Sequence, residues 1–182
     1  IAVVSTKNED GSNNLAPFSF FTGISAKPMI VAFAPLIRTS TGDKKDTVKN
    51  IERTKEFVIN FTTETNADQV NLTSTELAYG DDEFEFSGLT PIPSEKIDVM
   101  RVKESPIHFE CILKDIISYG DKPGAGTLIT GEVVKIHVDE SIYDNGRIIT
   151  KAFKPMGRGA GNDWFKCDSV VEKTRLMKAQ IQ

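Results

Sequence analysis

Apolar and polar positions alternate along this chain in short runs of strand length, separated by Gly, Asn, Asp and Pro. Residues 1–6 read as a first strand and residues 8–13 as a polar turn, where Asp10-Gly11 supplies the positive φ of a tight reversal. Residues 14–22 read as the returning strand. Lys27-Pro28 opens a third strand over 29–34, and Pro35 closes it because proline has no N–H to give a sheet ladder. Residues 37–44 form a loop rich in Thr, Ser and Gly, after which Asp46 or Thr47 caps a helix ending near residue 54.

Residues 57–61 then read as a buried strand. Val70, Leu72 and Leu77, set among polar residues, predict a helix over 66–79, and the run 81–86 reads as a solvated acidic connector. The β pattern returns from residue 107, with strands over 107–118 and 127–138 flanking a turn at 119–126. Asp144-Asn145-Gly146 marks a further turn before a β segment over 147–153, and residues 171–182 read as a short helix that packs on a partner or frays. Many short strands with few helices predict a mainly β fold, barrel or sandwich, and with no repeat or linker the chain reads as one domain over 1–182. The opening directly on a strand pattern, without a methionine, leads us to expect missing residues upstream, with 167–182 as a C-terminal extension.

A chain of 182 residues buries enough surface to fold without a disulfide or metal. The net charge of −4 and the lack of a Lys/Arg cluster exclude a nucleic-acid surface, which needs cations to replace phosphate counterions. No stretch approaches the roughly 18 apolar residues of a membrane helix, so a soluble, cytoplasmic protein is expected. The two cysteines, Cys111 and Cys167, lie far apart and read as buried thiols in a reducing compartment. Asn60-Phe61-Thr62 and Asn71-Leu72-Thr73 match glycosylation spacing without a secretory leader to support them.

Two segments carry candidate chemistry. Asn14-Leu15-Ala16-Pro17-Phe18-Ser19-Phe20-Phe21 is an aromatic run that Pro17 interrupts, freeing backbone amides to face a ligand, although composition alone favours an ordinary core strand. Phe18 and Phe20 alternate sides, so both cannot line one slot. Lys45-Asp46-Thr47 sets a cation and a hydroxyl at a helix start, which is either a solvated cap or an anion cradle that Arg38, Thr39, Ser40 and Thr41 complete. Gly157-Arg158-Gly159-Ala160-Gly161 does not join a parallel strand to a helix and so is no dinucleotide signature; it is a loop that lets Arg158 reach an anion or a partner subunit, or a plain turn. Trp164 and Phe165 beyond it read as cover for a ring edge or as a core or dimer contact, and the acidic run 81–85 lacks a histidine to make it a metal site.

In this order the two segments resemble the flavin reductase-like proteins of the FMN-binding split-barrel family. The resemblance extends through Glu56-Phe57-Val58-Ile59-Asn60, Glu83-Phe84 with Gly88-Leu89-Thr90, Glu104-Ser105-Pro106, Phe109-Glu110-Cys111 and Gly131-Glu132-Val133-Val134, to Arg158 and Gly161. It implies a six-stranded antiparallel split β-barrel with a few short helices, a homodimer, and FMN near the subunit interface. It assigns Asn14, Ala16, Pro17, Phe18 and Ser19 to ring and ribityl contacts, and Arg38, Ser40, Lys45, Asp46, Thr47 and Asn50 to the phosphate region, with Asp46 orienting Lys45 or capping the helix rather than touching the anion. Arg158 joins them as a cofactor contact.

The activity implied is hydride transfer from NADH or NADPH to flavin and electrons onward, in some relatives to a monooxygenase component, with no catalytic side chain assigned. One departure stands out. Many reductases of this kind carry a histidine shortly before the glycine matching Gly131, and residues 124–130 here hold none. That absence supports the alternative of an FMN-binding electron-transfer or flavin-storage module. His108 and His137 read as structural histidines with satisfied hydrogen bonds.

Overall fold

The computed structural model describes residues 1–167 and 169–174. It begins with strands β1 (Ala2–Lys7), β2 (Asn13–Phe18), β3 (Phe21–Ala26) and β4 (Met29–Phe33), then helix α1 (Asp46–Thr54) and strand β5 (Glu56–Phe61). Two short helices follow, α2 (Ala67–Leu72) and α3 (Glu83–Ser87), then the two-residue strands β6 (Pro91–Ile92) and β7 (Arg101–Val102). The long strands β8 (Ile107–Ser118) and β9 (Thr127–Val138) lead to the pair β10 (Tyr143–Asp144) and β11 (Arg147–Ile148). Helix α4 (Thr150–Phe153) and the hairpin of β12 (Met156–Arg158) and β13 (Trp164–Lys166) complete the chain.

The principal sheet is antiparallel and runs β2-β1-β5-β8-β9-β4-β3. Its two edge strands, β2 and β3, are joined through Ser19 and Phe20, so the sheet curls into a split barrel. The Phe18 ring on β2 lies 5.0 Å from the Phe33 ring on β4, and Phe33 lies 5.4 Å from Phe57 on β5. The interior is filled by Ala2, Val4, Val31, Ile59, Cys111 and Ile129 with those rings, and Val48 and Ile51 of α1 plug it. A side chain at residue 131 would fall onto the Phe57 ring and within 3.3 Å of Cys111 Cβ, so the close approach of β5 to β9 requires Gly131.

β1 is buried on both faces. Ala2 and Val4 point into the barrel, while Val3, with Leu15 of β2, packs outward against Val70 of α2 and Phe84 of α3. That double cover explains why β1 reads as a continuous apolar run rather than a strict alternation. It also places α1 at one end of the barrel and α2 and α3 on its outer face, with the edge strand β2 between them.

The structure corrects several sequence expectations. The sheet has seven strands rather than six, because the run 14–22 breaks at the exposed Ser19 and Phe20, where the chain crosses from one sheet edge to the other. The helix read over 66–79 is the short α2, and the acidic connector is helix α3, capped by Asp82, whose carboxylate accepts from Phe84 N–H at 2.8 Å. Residues 147–153 split into β11 and α4. Lys45, not Asp46 or Thr47, is the residue at the N-cap of α1 and makes no side-chain capping bond, since an ammonium has no acceptor to offer; the Asp46 carboxylate is engaged by Arg38 and Lys49. Cys111 is buried but Cys167 is exposed. The C-terminal helix falls mostly outside the described residues, and residues 171–174 carry no regular structure.

Candidate functional site

The edge strand β2, the N-terminus of α1, the loop after α2 and the start of α3 converge on one cavity of about 60 Å³. That is room for a small polar group or a few ordered waters. Its walls include Asn14, Ala16 and Pro17 from β2, Arg38 from the preceding loop, Lys45, Asp46 and Thr47 from α1, and Glu83 from α3. Residues 73–77 close its far side. Pro17 and Ser74 also line a more open groove of about 320 Å³, whose other walls include Ser19, Asn71, Arg158, Asn162 and Trp164. A small polar cavity thus opens into a larger one.

The helix end is charged in a particular way. Asp46 is ion-paired with Arg38 at 2.8 Å and with Lys49 at 3.2 Å. Burial works to raise the Asp46 carboxyl, but the hydrogen bonds from Arg38 and Lys49 outweigh it and hold the group below its ordinary range. Lys45 is half-buried, and among the described residues no carboxylate lies within ion-pair distance of its ammonium. Burial, with the nearby Arg38 charge, lowers its pKa. The first-turn N–H groups of Asp46 and Thr47 have no acceptor among the described residues, as expected where no side chain caps the helix.

A buried amide network sets the position of this end. Thr6 Oγ1 on β1 accepts from the side-chain amides of both Asn14 and Asn50 at 3.0 Å. Asn14 also donates to Thr47 Oγ1 at 3.1 Å, and Asn50 to Asn8 Oδ1 at 2.7 Å. Asn14 therefore spends both amide protons inside the protein, and the Thr47 hydroxyl, accepting from Asn14, keeps its own proton to donate.

On the opposite wall, Glu83 Oε2 accepts from the N–H of Leu15 at 2.9 Å, an amide left outward by the edge position of β2. Burial raises the Glu83 carboxyl to about 7 against that hydrogen bond, with the Asp82 and Asp46 charges adding to the rise.

Asn14, Ala16, Pro17, Arg38, Lys45, Asp46 and Thr47 from the sequence-derived set meet in the small cavity, and Pro17, Ser19 and Arg158 in the larger groove. Three candidates lie elsewhere. The Phe18 side chain is in the barrel core, Asn50 is buried beneath the cavity in the amide network, and Ser40 binds Glu76 at 2.8 Å on the surface. Sequence reading missed Glu83 and the hydroxyl-rich loop Thr73-Ser74-Thr75. The Asp82 cap before Phe84 was the available signal for α3, but nothing local told that its first residue turns inward.

Arg158 ends β12, with its guanidinium 5.9 Å from the Trp164 ring centroid across the hairpin, so the glycine-rich run is the turn of a β-hairpin. His137 sits 2.6 Å from Glu110, whose carboxylate also accepts from the N–H groups of Glu95 and Lys96 and anchors that loop to the sheet. His108 Nε2 faces the Val102 carbonyl at 2.7 Å, so that nitrogen carries the proton. The expectation of full satisfaction is corrected here, because Nδ1 of His108 is buried without a partner. Burial lowers this imidazole to about 4.

Comparison with known proteins agrees with the geometry. The chain is 37% identical over 168 residues to an uncharacterized protein of Halalkalibacterium halodurans, covering 91% of this chain and 80% of that one. Among solved structures it superposes on nitrilotriacetate monooxygenase component B from Bacillus cereus with a TM-score of 0.87 at 36% identity, covering 96% of this chain and 85% of that one. For 2-nitrobenzoate 2-nitroreductase of Pseudomonas fluorescens the TM-score is 0.86 at 29% identity, with 97% and 84% covered. Flavoredoxin of Desulfovibrio vulgaris shares the fold at 21% identity, with a TM-score of 0.80 and 94% and 88% covered. Residues 1–153 match the model of the flavin reductase like domain, and with the split barrel and its polar cleft they make this chain a member of the flavin reductase-like family.

Proposed function

We propose that the cleft binds FMN, with the phosphate in the small cavity and the ring toward Pro17, Ser19 and Arg158, and that the protein is an NAD(P)H-dependent flavin reductase. The observation that carries this reading is the half-buried Lys45, with no carboxylate at ion-pair distance among the described residues, set beside the first-turn amides of Asp46 and Thr47, which have no acceptor among those residues. A helix N-terminus with an unneutralised cation and a hydroxyl donor fits a phosphomonoester and fits no neutral ligand as well. A bound FMN supplies the hydride acceptor and the route for electrons onward.

The chain's own residues bind and position. Lys45, Thr47 and the α1 amides hold the anion, Arg38 keeps Asp46 turned away from it, and the network of Asn14, Thr6 and Asn50 fixes the distance between β2 and α1. Exposed apolar side chains on the sheet, Ile24, Ile117, Val134 and Ile136, support a homodimer. The similarity to a protein named as a monooxygenase component supports a second protein as electron acceptor.

A second reading is an electron-carrying or flavin-storing module, favoured by the lack of a histidine over residues 124–130. Stopped-flow mixing of the FMN-loaded protein with NADH, and separately with NADPH, decides between them. Rapid bleaching of the flavin absorbance is the expected result; an unbleached flavin with both donors rejects the reductase.

A further inference from the structure

Glu83 is out of place in an anion cradle. It lines the same cavity as Lys45 and Thr47, and its carboxyl is held there by the Leu15 N–H at 2.9 Å. The strand that presents this N–H also presents Asn14, Ala16 and Pro17 to the cavity. An ionised carboxylate at that wall repels a phosphate dianion across a space of about 60 Å³.

We propose that Glu83 is the proton-accepting wall of the cradle: entry of the phosphate is accompanied by protonation of Glu83, so that the cavity's affinity for a flavin phosphomonoester is set by pH. The neutral carboxyl keeps one oxygen as acceptor for Leu15 and gains an O–H donor where a carboxylate adds repulsion. The inference rests on the FMN reading above.

The surrounding charges are consistent with it. Asp82 on the same helix and Asp46 on α1 both press Glu83 toward the neutral form, and burial raises it to about 7 in the free protein. Lys45 at the N-cap of α1, Arg38 on the preceding loop and Glu76 on the loop after α2 complete the charged groups lining the cavity. Arg38 is committed to Asp46, and Lys45 shares the lining of the cavity with Glu83. An arriving dianion shifts the balance further toward protonation, and the proton comes from solvent.

The test is calorimetric titration of FMN, with riboflavin as the phosphate-free control, in buffers of differing ionisation enthalpy. At about pH 8 the account predicts uptake approaching one proton per FMN and none with riboflavin; near pH 6 the uptake falls toward zero. Above about pH 7 FMN affinity falls by roughly tenfold per pH unit while riboflavin affinity stays level. Glu83→Gln, which keeps an acceptor for Leu15 and a donor for the anion, abolishes the uptake and flattens the FMN profile. Lys45→Met retains the uptake at lower affinity and serves where Glu83→Gln does not fold. Uptake that persists in Glu83→Gln or disappears in Lys45→Met assigns the proton to Lys45 or the phosphate and overturns the proposal. FMN binding without uptake at about pH 8 overturns it as well and leaves the FMN reading intact, whereas failure of the wild type to bind FMN rejects that reading first.

Discussion

Arg38 holds the Asp46 carboxylate at 2.8 Å, and Lys45, next to Asp46 in the chain, is left without a carboxylate within ion-pair distance among the described residues. Three cations and one acid thus meet at a helix start, and the acid is taken by two of them, Arg38 and Lys49. Among the described residues the third, Lys45, has no carboxylate at that distance and is open to a ligand. Lys45→Ala should therefore weaken FMN by about 10- to 100-fold, the value of a charge-assisted hydrogen bond, and change riboflavin affinity little. Equal losses for the two ligands, read by fluorescence quenching, would show that Lys45 does not meet the phosphate.

Arg38 is expected to act through Asp46. Arg38→Gln frees a carboxylate beside the cavity, so FMN affinity drops and Lys45 gains an internal partner. The double variant Arg38→Gln with Asp46→Asn should recover part of the affinity, since it removes the released charge along with its partner. If the double variant is weaker than the single one by the full additive amount, Arg38 contacts the ligand itself.

Phe18 separates the barrel core from the cleft. Its ring is 5.0 Å from Phe33 and only 5% of the residue is exposed, although the resemblance places it among the cofactor contacts. Phe18→Leu is expected to lower stability by about 1–2 kcal/mol while FMN affinity changes less than a few-fold. Chemical denaturation and ligand titration of the same variant check both halves. The opposite pattern, intact stability with lost affinity, returns Phe18 to the site.

Gly131→Ala tests the packing that brings β5 against β9. The added methyl meets the Phe57 ring and Cys111, both fully buried, so a loss of about 1–3 kcal/mol is expected from overpacking. A denaturation midpoint equal to that of the wild type contradicts the close approach of these strands.

Two groups, the half-buried Glu83 and the buried His108, give opposing pH dependences of stability. Glu83 has a folded pKa raised from 4.5 to about 7, so between those values the folded state binds the extra proton and stability falls as pH rises. His108 is lowered from 6.5 to about 4, so there the unfolded state binds the extra proton and stability rises with pH. Over the shared window the two offset each other. Glu83→Gln should unmask a rise in melting temperature between pH 4.5 and 6.5, and a flat profile in that variant contradicts the assignment.

The strands were legible wherever local pattern decides structure. The ranges 107–118 and 127–138 read from alternation coincide with β8 and β9, because each alternates in a half-buried sheet and the intervening turn is marked by Gly and Pro. The break at Ser19 was invisible since it depends on where the two sheet edges meet. Glu83 was lost for the same kind of reason. Three acids in succession look solvated, and only the docking of α3 onto β2, a contact 68 residues apart in sequence, turns one of them, half-buried, against the Leu15 amide. Asn50 shows the converse: beside the helix start it reads as a ligand contact, and its position on α1 turns its amide toward Thr6 and Asn8.

The central claim is that the polar cavity at the start of α1 reads a flavin phosphate, and titration of the purified protein with FMN and riboflavin in parallel tests it most directly. Saturable quenching at one FMN per chain, with riboflavin bound at least about tenfold more weakly at the same pH, is the predicted result. No saturable FMN binding, or equal affinity for both flavins, contradicts it.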